Sequence, residues 1–88
     1  MKKIYIVIED WAYEGAGEEA KLLKAFTTQE KAMEFLAEHW ESLKTSDEEL
    51  FEEFNEFEDY GTRKEAWKDN DYLMYHLCVW VEETKLID

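Results

Sequence analysis

Eight carboxylates fall within thirteen consecutive residues: Asp47, Glu48, Glu49, Glu52, Glu53, Glu56, Glu58 and Asp59. No lysine or arginine interrupts them. General acid–base catalysis needs two carboxyl groups whose surroundings push their pKa values apart, and nothing in the run raises one pair above the others. What such a run can do is hold a basic surface. Other chemistry is sparse. His39, His76 and Cys78 are the only soft metal ligands. His76 and Cys78 alternate onto one strand face, which starts a zinc site, but a structural zinc usually takes four such ligands and no C-x-x-C or H-x₃-H pair occurs. No metal is expected.

Asp69-Asn70-Asp71 opens like a calcium loop but lacks the loop's glycine and its distal Glu, so it reads as a turn. Gly15-x-Gly17-x-x-Ala20 follows a strand and formally fits a dinucleotide fingerprint. Glu18 and Glu19 would then sit where a pyrophosphate needs a helix N-terminus free of negative charge, and 88 residues cannot supply a doubly wound sheet. Cys78 lies in an apolar run, where a thiol is expected to be unreactive. These residues predict a protein without catalytic residues and without a cofactor.

The elements that position the carboxylates follow from periodicity. Lys3–Ile8 (KIYIVI) is β-branched and aromatic and predicts a strand, stopped by Glu9-Asp10. Gly15-Ala16-Gly17 marks a turn, and Ala20–Phe26 returns as a second strand, although Glu18, Ala20, Lys21 and Leu22 are also helix formers. Thr27 to Glu30 (TTQE) is a capping box. Ala32, Met33, Leu36, Trp40 and Leu43 then form one apolar stripe, so a helix should run to about Lys44. Ser46-Asp47-Glu48-Glu49 is a second such box; Leu50, Phe51, Phe54 and Phe57 share a face behind it, and Gly61 is the stop. Thr62 to Glu65 is a third, predicting a short helical turn around Ala66 and Trp67. Tyr72–Val81 reads as the last strand.

The expected fold is α+β: a three-stranded antiparallel sheet with one long helix packed on it, and an acidic helical segment inserted at about 46–69. A single domain is expected over 1–88. Alternation is expected to match Ile4, Ile6 and Ile8 with Leu73, Leu77, Val79 and Val81 on one face, leaving Tyr5, Val7, Met74, Cys78 and Trp80 on the other. Both faces are apolar. The second is to be covered either by Leu50, Phe54 and Phe57 or by a second molecule bound at Tyr5, Met74 and Trp80.

The run Lys3–Trp40 resembles small bacterial and phage domains of unknown function, in which a strand and hairpin return lead into a helix start of the form F-[ST]-[ST]-x-E-K-A, here Phe26-Thr27-Thr28-Gln29-Glu30-Lys31-Ala32. Tyr72–Val81 matches their final strand more loosely. The resemblance implies the fold outline and no activity; the acidic insertion departs from it.

A chain this short buries roughly 60–65% of its unfolded surface. Four Trp, five Tyr and five Phe nevertheless fill a core and argue against disorder. The apolar run after Met1-Lys2-Lys3 is too short for a secretory leader. No segment approaches the ~20 apolar residues of a membrane span, and one cysteine gives no internal disulfide. A cytoplasmic location is expected.

The formal charge is −13, and it is segregated: residues 1–45 carry six basic and nine acidic side chains, residues 46–88 four and fourteen. Such a surface repels nucleic acid and anionic membranes and attracts the basic proteins that bind nucleic acid. Carboxylates four apart on a helix stand about 6 Å apart along its axis, against one phosphate per ~3.4 Å of DNA strand. Two adjacent rows, Glu48/Glu52 and Glu49/Glu53/Glu56, come close to that density. The expected function is a non-enzymatic inhibitor of the phage or mobile-element type, a nucleic-acid mimic occupying the basic groove of a nuclease or CRISPR effector. The alternatives are a solvated, solubilising helix face and a host interaction module that forms a homodimer.

Overall fold

The computed structural model describes residues 2–14, 16–17, 20–70 and 75–86. In chain order the elements are β1 (Lys2–Tyr13), β2 (Ala16–Gly17), β3 (Lys21–Phe26), α1 (Gln29–Ser46), α2 (Glu48–Glu53), β4 (Glu56–Asp59), β5 (Arg63–Trp67) and β6 (Tyr75–Leu86). The frame is the pair β1–β6, twelve residues each, in continuous antiparallel register from Lys2↔Leu86 to Tyr13↔Tyr75. At about 3.4 Å per residue such strands reach ~40 Å, which accounts for the 43 Å long axis of the molecule.

Every pairing is antiparallel, and the lateral order is β3–β1–β6–β5–β4, with β2 on the same edge of β1 as β3. The sheet therefore has five strand positions where three were expected. The two extra strands, β4 and β5, come from the segment predicted to be helical. The first strand also runs five residues past its expected end. Glu9 is buried at 8% exposure, and β1 passes through it because a partner from α1 meets its carboxylate.

Helix α1 starts one residue later than the capping box suggested: Thr28 is the N-cap, and its hydroxyl accepts from the Lys31 amide at 3.3 Å. Ala32, Leu36 and Trp40 form its buried stripe. The helix continues to Ser46, where the Thr45 and Ser46 hydroxyls donate back to the Glu41 and Ser42 carbonyls.

Helix α1 lies on the sheet face formed by Tyr5, Val7, Trp11, Leu77, Val79 and Ala66, and Leu50 of α2 and Phe54 beyond it join the same core. Both helices thus pack on one side. The register pairs Ile8 with Trp80 and Val7 with Val81. Ile4, Ile6 and Ile8 therefore share a face with Cys78 and Trp80, and Tyr5 and Val7 share one with Leu77 and Val79, the reverse of the expected matching. Leu73 and Met74 lie outside the described residues. No described helix covers the Ile8–Trp80 face, and no described helix is long and apolar enough to cross a membrane.

Candidate functional site

The acidic run is not one helix. Asp47 is the junction at which α1 ends and α2 begins, and α2 has six residues, about 9 Å of axis. Phe54 is extended (φ −78°, ψ 135°), and Glu56–Asp59 forms β4, the outer strand of the sheet. The row Glu49/Glu53/Glu56 is therefore broken after Glu53, and the two-row spacing that would imitate a nucleic-acid strand does not form.

The charges separate into neutralised and unneutralised groups. Lys68 lies 3.0 Å from Glu53, and Lys64 lies 2.6 Å from Asp59. The lysine and the Gly61 amide both donate to Asp59 and hold its carboxyl below the ordinary range. Glu58 accepts from the Tyr60 hydroxyl, which pushes that phenol up. Glu48, Glu49, Glu52 and Glu56 are exposed and make no ion pair among the described residues. Phe57 (54% exposed) and Tyr60 (64%) flank Glu58 and Asp59 along the chain. The β4 carboxylates also serve the fold, because charge on an edge strand discourages pairing with another chain.

Tyr5 and Trp80 project from opposite faces of the sheet and cannot share one interface, and Met74 lies outside the described residues. On the uncovered face the register sets Asp10, Cys78, Glu65 and Glu58 in one row and Ala12, His76, Trp67 and Glu56 in the next. His76 and Cys78 do share that face, with His76 Nε2 3.9 Å from Asp10. Burial pushes the Cys78 thiol up to about 11 against the pull of Arg63, whose guanidinium bonds Glu65 at 2.6 Å. Among the described residues no three His, Cys, Asp or Glu side chains are grouped to hold a metal ion. Gly15, Glu18, Glu19 and Asp71 lie outside the described residues; Gly17 ends β2, paired with Ala12, and Asn70 adopts φ +67°.

Sequence reasoning missed a cleft of about 270 Å³ between the second half of β1 and the α1–α2 junction. Trp11, Tyr13 and Phe51 wall it, and Leu43, Leu50 and Leu77 line it deeper. Three carboxylates enter the lining, Glu9 from the sheet and Asp47 and Glu49 from the junction. One Glu9 oxygen meets His39 Nε2 at 3.0 Å, and His39 stacks on Phe35 at 5.9 Å. Asp47 occupies the N-cap position of α2, yet its side chain makes no capping bond. Burial, with Glu14, Glu49, Tyr75 and Glu53 around it, pushes the Tyr13 hydroxyl above its ordinary value. The one signal in the sequence was the alternation of Trp11 and Tyr13 beyond Glu9, which continues the inward face of β1.

No protein-family model matches the chain, and no curated protein and no solved structure shows a significant likeness to it.

Proposed function

We propose that the chain is a non-enzymatic acidic binding protein of the phage or mobile-element type. In this reading its α2–β4 edge docks on the basic nucleic-acid-binding surface of a nuclease or CRISPR effector and excludes the nucleic acid. The observation that carries the reading is the exposed acids Glu48, Glu49 and Glu52 on α2 and Glu56 on β4, which make no ion pair among the described residues, together with the exposed rings of Phe57 and Tyr60 on β4 and its turn. Aromatic anchors within a charged rim are the usual composition of an interface. With the helix only six residues long, recognition rests on charge and on these rings, not on phosphate-like spacing. The test is fluorescence anisotropy of a labelled duplex bound to such an effector. The chain should displace the duplex, less effectively as salt rises, and replacing Glu48, Glu49, Glu52 and Glu56 by Gln should abolish displacement while leaving the circular dichroism spectrum unchanged. Equal displacement by the Gln variant would remove the edge as the contact.

A second reading, a homodimer, is favoured by the uncovered sheet face, where Ile6, Ile8 and Trp80 are half-buried and Leu22 is 59% exposed. Light scattering that gives a dimer, converted to monomer by Trp80→Asp, would support it over the first.

A further inference from the structure

We infer that the cleft between β1 and the α1–α2 junction is a receptor pocket for one basic side chain of a partner protein, a guanidinium or ammonium group on an aliphatic stem. The lining alone selects this chemistry. Trp11, Tyr13 and Phe51 present ring surfaces, which attract a cation by their quadrupoles and its stem by apolar contact. Three carboxylates, Glu9, Asp47 and Glu49, enter the same lining, and no lysine or arginine does among the described residues. Asp47 and Glu49 have no cationic partner among the described residues, and a cation would pair with them.

Two observations bear on the acids. Glu9 lines the cleft with a side chain only 10% exposed, and its Oε1 is engaged by His39. Asp47 stands at a helix start, where an aspartate ordinarily caps, and caps nothing. At about 270 Å³ the space has room for one such side chain. The inference rests on the docking reading in that a basic partner supplies the group. Glu49 belongs to both the cleft and the exposed acidic edge, so the pocket would hold an anchoring residue while the edge holds the surface around it.

The test needs no partner. Nα-acetyl-arginine amide is titrated into the ¹⁵N-labelled chain, with the neutral isostere Nα-acetyl-citrulline amide as control. The arginine derivative should bind saturably with a Kd on the order of 1 mM, shifting the Trp11 indole N–H, and the citrulline derivative about tenfold more weakly. Glu49→Gln, an exposed substitution, should weaken the arginine derivative several-fold, and Trp11→Leu should do the same if the variant stays folded by its amide spectrum. Equal binding of the two derivatives, or shifts scattered along α2 and β4 without Trp11, would overturn the pocket. The outcome separates from that of the docking reading. Saturable arginine binding with no displacement of nucleic acid keeps the pocket and removes the nuclease or effector as partner. Displacement with no arginine binding removes the pocket and keeps the edge.

Discussion

The Glu9 carboxylate, buried on the inner face of β1, lies 3.0 Å from Nε2 of His39 on α1, thirty residues further along the chain. Among the described residues Glu9 is the one buried charged side chain, and this contact ties it to the helix. A buried carboxylate without a partner costs its full desolvation, whereas two apolar groups of similar shape cost little. His39→Leu should therefore destabilise the chain by about 1–3 kcal/mol, and Glu9→Met added to it should recover most of the loss. A urea double-mutant cycle measures both; additive losses in the double variant would mean that the pair is not coupled.

The thiol of Cys78 is 5% exposed beneath Arg63 and Glu65, and burial raises it from 9.0 to about 11. A raised folded-state value means that the fold favours the neutral thiol. That contribution is fully present below pH 9, is lost as pH rises through 11, and amounts to at most roughly 2–3 kcal/mol. Unfolding midpoints should fall between pH 9 and 11, and Cys78→Ser should flatten the fall. At neutral pH the native thiol should resist a disulfide reagent that labels it at once in urea, and fast native labelling would contradict the burial.

How much of this was readable along the chain depended on distance. Helix α1 was legible because its cap and stripe are local: Thr28 to Lys31, then Ala32, Leu36 and Trp40. The end of β1 was misplaced because Glu9-Asp10 looks like a break, and the residue that makes Glu9 tolerable is thirty positions away. Residues 46–69 misled for a different reason. Glutamates are good helix formers, and T/S-x-x-E patterns recur in the segment, so local propensity pointed to helix throughout. Pairing won instead: β5 gains β6 as a neighbour and buries Ala66, and β4 is drawn along with it. The uncovered face and its rows exist only in the β1–β6 register, which no single strand specifies.

Gly61 marks the hairpin that replaced the predicted helix stop. It adopts φ +81°, its amide donates to the Asp59 carboxylate at 2.9 Å, and Tyr60 and Arg63 close the turn through a backbone bond of 2.8 Å. A methyl group there would meet Met33 Cε at 3.1 Å, a flexible end that can move, so the cost is mostly backbone conformation. Gly61→Ala should lose about 1–2 kcal/mol, and Gly61→Asn, which tolerates left-handed backbone better, distinctly less. Thermal denaturation of the three chains checks the order, and an alanine variant as stable as the parent would refute the strained turn.

The unpaired acids should cost stability if they are kept for binding. Glu48 and Glu52 stand four apart on α2 with no cation between them, a repulsive pair worth a few tenths of a kcal/mol, added to the self-repulsion of a chain with charge −13. Glu52→Lys turns that pair into an attractive one in the favourable order and places a cation near the C-terminal end of the helix. It should stabilise the chain by about 0.5–1 kcal/mol at ionic strength near 0.01 M, where charges act over ~30 Å, and by almost nothing near 1 M, where they act over ~3 Å. Urea denaturation at the two salt concentrations measures the difference. The same substitution should impair displacement of nucleic acid from a basic effector. Gain of stability with loss of displacement is what a docking edge requires; gain of stability with displacement intact would leave Glu52 as a solvated residue with no part in binding.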